Sequence, residues 1–223
     1  MRKLTCSILL VLLYIPNLFC QENKLNRPQT PIAPYPYQSE DVTFENSTDG
    51  VTLAGTFTYP KGGSNLPAVI LISGSGPNDR DCDYLQHKPF LVIADFFTKN
   101  GIAVLRYDKR GIGQSTGNYR DATSVDFARD VEFAVAYLKS RNEINTDKIG
   151  LVGHSEGGII APMVAERSKD VRYIILMAGP TIKGDLLLLL QDRLISQSLG
   201  DPESDIALAD KINTQSYAIA SDS

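Results

Sequence analysis

One serine in this chain is placed for nucleophilic chemistry. Ser155 lies in Gly153-His154-Ser155-Glu156-Gly157, directly after the apolar run of residues 148–152 and ahead of a helix-like stretch over residues 157–165. A serine between a strand and a helix sits on a turn so sharp that small flanking residues are needed, and the N–H groups opening the helix face any oxyanion that develops there. Gly153, Gly157 and Gly158 meet the steric need. The chemistry of such a turn is attack on an acyl carbon, with a histidine taking the serine proton. The chain has two histidines, His87 and His154, and none of the 68 residues after Ser155 is histidine. His154, the middle residue of the turn, is expected to point away from Ser155, and His87 falls in a loop ahead of a helix.

The elements that must position Ser155 follow from hydrophobic periodicity. Val42 and Phe44, then Val51, Leu53 and Phe57, alternate with polar residues around Asp49-Gly50, which predicts a β-hairpin. Residues 68–72 and 102–105 are continuous apolar runs, the pattern of strands buried on both faces. Between them Phe90, Val92, Ile93, Phe96 and Phe97 recur at helical spacing and stop at Asn100-Gly101. Val125, Phe127, Ala128, Val131, Val135 and Leu138 predict a second helix, residues 149–152 the strand before Ser155, and residues 171–177 a sixth strand. This alternation implies an α/β fold with a mainly parallel sheet and helices on both faces. Residues 185–198 read as one more helix, with 186–190 too apolar all round to face solvent. Beyond 181 no further apolar strand is expected, and the last residues carry no closing element.

Three segments in this order make a more specific pattern. They are Ser73-Gly74-Ser75-Gly76-Pro77-Asn78-Asp79-Arg80-Asp81, then Arg106-Tyr107-Asp108-Lys109-Arg110-Gly111-Ile112-Gly113-Gln114-Ser115, then Gly153-His154-Ser155-Glu156-Gly157-Gly158. Over residues 40–180 the chain resembles bacterial α/β-hydrolases of the carboxylesterase and serine-aminopeptidase-like group, related to prolyl oligopeptidases. The resemblance implies that Ser155 is the nucleophile of an acyl-enzyme mechanism. It implies an oxyanion hole built from two backbone N–H groups, those of Glu156 and Ser75, with Gly74 or Gly76 as alternatives to Ser75. It also implies that the Asp108 to Ser115 loop is mainly structural, with Asp108 and Arg110 forming a buried or half-buried ion pair. The family order is Ser, acid, His, so the chain is expected to be the N-terminal portion of such a fold. Residues 39–180 would then be the core, residues 181–223 the start of a helical cap, and strands seven and eight absent. The leucines at 186–190 could line an acyl pocket or pack on the sheet.

Composition narrows the setting. A net charge of −4 with no basic run disfavours nucleic acid and anionic membrane surfaces, and leaves a small-molecule ester or peptide substrate. Arg2 and Lys3 precede an apolar stretch over residues 4–15, shorter than the roughly 20 residues that span a bilayer, so residues 1–20 read as a secretory signal and not as a stable membrane span. Export to the periplasm or the exterior is expected, by cleavage after Cys20 in preference to lipidation of it. Residues 21–38, with Pro28, Pro31, Pro34 and Pro36, read as an extended, poorly packed leader. Removal of Cys6 and Cys20 would leave Cys82 alone, in a charged loop that disfavours its thiolate. No metal set and no cofactor is expected, and the oligomeric state is open. The leading function is an exported serine hydrolase of carboxylic esters. The alternatives are an aminopeptidase-type serine peptidase of the same fold and a truncated acyl-binding remnant without catalysis.

Overall fold

The Asp49-Gly50 turn closes as expected. Gly50 adopts φ +66°, in the left-handed region that glycine tolerates, and the Asp49 N–H donates to the Asn46 side chain at 3.1 Å. The two strands it joins, β1 (Gln38–Asn46) and β2 (Val51–Tyr59), pair antiparallel along their whole length. The computed structural model describes residues 27–221. The expected signal segment lies outside them.

Downstream, strand and helix alternate: β3 (Leu66–Ile72), α1 (Pro89–Lys99), β4 (Ala103–Tyr107), α2 (Ser124–Lys139), β5 (Ile144–His154), α3 (Gly157–Arg167) and β6 (Tyr173–Met177). The sheet order is β1-β2-β4-β3-β5-β6, with β3, β4, β5 and β6 parallel to one another. The continuous apolar runs are explained by burial on both faces. From β3, Ala68, Ile70 and Ile72 pack with α2 and α3, while Val69 and Leu71 pack with α1 through Phe90 and Ala94. The architecture is a mainly parallel α/β sheet covered on two sides, and the later strands of a complete α/β-hydrolase sheet are absent from the described residues.

Three features depart from the sequence-based expectation. Tyr37, inside the segment expected to pack poorly, is buried, donates its hydroxyl to Asp95 at 3.0 Å on α1, and stacks on Tyr35. A large aromatic ring beside prolines finds apolar surface that composition alone does not reveal. After β6 come two helices instead of one, α4 (Gly184–Leu199) and α5 (Glu203–Ser221). They form a hairpin in which Ile206 is buried and Arg193 pairs with Asp210. Finally, α4 has no buried residue: Leu186, Leu188, Leu190 and Leu194 are about half exposed, in spite of their apolar pattern. The terminal strand β6 exposes Tyr173, Ile175 and Leu176. No helix among the described residues is long and apolar enough to cross a membrane.

Candidate active site

At the carboxyl end of β5 the chain reverses into α3 through Ser155, which adopts φ +52°. A non-glycine residue there is held against its own preference, so the surrounding contacts must hold it. Its N–H donates to Met177 O at 2.9 Å, tying the turn to the end of β6, and its carbonyl accepts from Gly158 N–H at 2.8 Å. Neither flanking glycine can carry a side chain. A Cβ on Gly153 would lie 2.0 Å from Gly157 O, and one on Gly157 would lie 2.3 Å from Ile72 O. The expected need for glycines is thus a need for close backbone approach between β5, α3 and β3.

The loop after β3 meets this turn from the other side. A Cβ added to Gly74 would lie 3.0 Å from that of Ser155. Asn78 Nδ2 staples the loop, donating to Gly74 O at 2.8 Å and to Ser75 O at 2.9 Å. Gly76 N–H is engaged by the Tyr119 hydroxyl at 2.9 Å. Among the described residues the backbone N–H groups of Ser75 and Glu156 donate to nothing. Both are open to an acceptor beside Ser155, Ser75 being exposed and Glu156 half-buried, and the Gly74 N–H is likewise unengaged among the described residues.

Below the turn lies a buried cation. Lys109, at 4% exposure, donates from Nζ to Gly74 O at 2.7 Å and to Glu156 Oε2 at 3.0 Å, and lies 4.3 Å from the Phe127 ring centroid. Glu156 Oε1 accepts from the Ser124 hydroxyl at 2.8 Å. Burial pulls the Lys109 ammonium below the usual lysine value, against the raising influence of Glu156. Sequence reading missed Lys109. Its only signal was a lysine at the carboxyl end of a fully buried strand.

Asp108 and Arg110, expected as a pair, each pair elsewhere. Asp108 binds Arg80 at 2.8 Å and accepts the N–H groups of Arg80 and Gln114, whereas Arg110 makes a two-point contact with Asp130 at 2.7 and 2.8 Å and a third with Asp49 at 2.7 Å. Side chains separated by one residue diverge at a strand end, so their partners come from neighbouring elements. Neither network makes a hydrogen bond to Ser155 among the described residues; each ties together the loops around it. Burial pushes the Asp108 carboxyl up, but the Arg80 contacts and the two backbone donors outweigh it, so the group lies below its usual 3.8. The Arg110 bond lowers Asp49 likewise. A depressed folded pKa stabilises fully above the unfolded value and is lost as pH falls through the folded one. The urea midpoint is therefore expected to hold from pH 7 to about 5 and to fall steeply below about 4. A shallower acid limb in Asp108→Asn, in the same titration, checks the assignment.

Two cavities open on either side of Ser155. The larger, about 650 Å³, is lined by Ser75, Ser155, Ile159, Leu187, Leu188 and Leu190 among others. The smaller, about 460 Å³, is bounded by Ser155, His154, Cys82, Phe90, Ile93 and Met177. The leucine-rich helix thus does border the serine. His154, expected to face away, borders the smaller cavity with Ser155, yet no hydrogen bond joins either histidine to Ser155 among the described residues. Burial first, then Asp79, pushes the Cys82 thiol up to about 12, so it is no thiolate at neutral pH. Three carboxylates of the serine turn and the loop after β3 are engaged: Glu156 as above, Asp79 by the N–H groups of Asp81 and Asp83, and Asp81 by Arg106.

A mainly parallel sheet whose serine turn, glycine loop and cavities converge at the carboxyl ends of its strands defines an α/β-hydrolase. Residues 88–215 match the family model for serine aminopeptidases, S33, and the chain belongs to that family. Esterase EstD of Thermotoga maritima is 34% identical over 170 residues, which are 76% of this chain and 39% of that protein. Thiohydrolase aneE of Aspergillus aculeatus is 33% identical over 134 residues, 58% of this chain and 38% of its own. The structure of a Pyrococcus furiosus esterase aligns with a TM-score of 0.57 at 25% identity, covering 81% of this chain and 66% of that one. The chain spans less than half the length of both sequence relatives.

Proposed function

We propose that this chain supplies the nucleophile half of a serine hydrolase acting on carboxylic esters. The observation that carries the reading is Ser155, held at φ +52° between two unengaged N–H groups at the mouth of an apolar cavity. Ser155 Oγ attacks the ester carbonyl, its proton passes to a general base, and the carbonyl oxygen becomes an oxyanion held by Ser75 N–H and Glu156 N–H. Collapse expels the alcohol, which takes that proton, and water then hydrolyses the acyl-enzyme to release the acid. The acyl chain lies against Leu187, Leu188 and Leu190, and the alcohol portion against Phe90 and Ile93. The base and the acid that orients it come from polypeptide outside the described residues. The relatives' greater length supports that assignment.

The peptidase alternative needs a carboxylate free to bind a substrate ammonium. Glu156, Asp79 and Asp81 are each committed to partners within the fold, which favours the ester. The test compares p-nitrophenyl butyrate with leucine p-nitroanilide on the full-length protein. The ester is expected to be the better substrate in kcat/KM by at least about 100-fold, since p-nitrophenoxide leaves more readily than p-nitroaniline and no ammonium site is required. Preference for the anilide would overturn the ester reading.

A further inference from the structure

An ammonium that is almost wholly buried is unusual, since desolvation opposes it, and methionine would fill the same space. Lys109 has two oxygen partners, and each belongs to a residue that shapes one of the two free N–H donors. Its first partner, Gly74 O, is in the same peptide unit as Ser75 N–H. In a trans peptide the C=O and N–H point in opposite directions, so fixing the oxygen inward aims the N–H outward. Lys109 Nζ at 2.7 Å and Asn78 Nδ2 at 2.8 Å together hold that oxygen. A charged donor on the carbonyl also polarises the peptide and strengthens its N–H as a donor. The second partner is the side chain of Glu156, whose own N–H opens α3 beside Ser155. One cation therefore spans the two strand ends, β3 and β5, that carry the two donors.

Resting on the ester-hydrolase reading, we propose that Lys109 is a positioning residue that aims both oxyanion N–H groups, Ser75 through the Gly74 carbonyl and Glu156 through its carboxylate. Its removal leaves substrate binding intact and weakens the transition state.

The test uses ¹⁵N-labelled full-length protein and two variants, Lys109→Met and the double variant Lys109→Met with Glu156→Gln, which avoids an unpaired carboxylate. In wild type a Lys109 ¹⁵Nζ signal protected from water exchange is expected, and an unprotected ammonium overturns the proposal even if neither variant folds. In the variants the Ser75 and Glu156 amide resonances are expected to shift, with kcat on p-nitrophenyl butyrate lowered at least about 100-fold and KM within threefold. Folded variants with both amides at wild-type positions, or with kcat within threefold of wild type, overturn it. So does a loss confined to KM. If the wild-type protein hydrolyses no ester and Ser155 takes up no fluorophosphonate, the ester reading fails by itself. The amide shifts then still decide whether Lys109 aims the two groups.

Discussion

Ser155→Ala in the full-length protein is expected to lower kcat/KM for p-nitrophenyl butyrate by about 10⁴- to 10⁶-fold, the range seen when a nucleophile is removed from a serine hydrolase. The residual rate would come from the two backbone donors and the cavity, which the substitution leaves in place. Melting temperature should hardly change, because alanine bears the same φ +52° strain as serine. Ser155→Gly separates chemistry from strain. It should be equally inactive and more stable by about 1 kcal/mol, since glycine reaches the left-handed region without penalty. Activity assays alongside thermal melts check both parts. An active Ser155→Ala enzyme would remove the acyl-enzyme mechanism, and a destabilised Ser155→Gly would mean that the turn is not strained.

Asp130→Ala is expected to cost about 3–5 kcal/mol of folding stability in urea titrations. Asp130 is 1% exposed and receives Arg110 Nε at 2.8 Å, Arg110 Nη2 at 2.7 Å and Asn46 Nδ2 at 2.8 Å. The cluster joins the β1–β2 hairpin, through Asn46 and Asp49, to α2. Loss of the carboxylate strands a buried guanidinium and an amide, and Asp49 compensates only in part. Asp170→Ala is the contrast. Its pair with Lys139 at 2.7 Å is solvent-exposed on both sides and should contribute less than about 1 kcal/mol. Similar losses in the two variants would show that burial does not set the value of these pairs.

Much of the sheet was legible because burial on both faces leaves uninterrupted apolar runs, as in β3 and β4, and because Asp49-Gly50 and Asn100-Gly101 punctuate the chain. The Ser155 turn was legible for a related reason, as glycines stand where backbones touch. What escaped depended on which elements become neighbours. The partners of Asp108 and Arg110 lie 28 and 20 residues away along the chain, and no local pattern couples them. The importance of Lys109 appears only once β3 and β5 are adjacent. Helix α5 escaped because Ile206, Leu208, Ile212 and Ile219 are sparse among polar residues, and only Ile206 is buried. The exposure of α4 escaped for the opposite reason, since an apolar pattern reports what a surface favours and not what covers it.

The parallel pairing of β3 with β5, with Ile72 opposite Gly153, brings together chain segments that lie far apart in sequence. Contacts of that separation close late and slowly, because the intervening chain must surrender its freedom before they reward it. The same closure seals the deepest part of the core, through Ile70, Leu151 and Ile149. A chain in which β3 and β5 have not yet paired is therefore expected to hold neither the turn at Ser155 nor the loop that faces it, so the geometry of the proposed site should be lost together with the core.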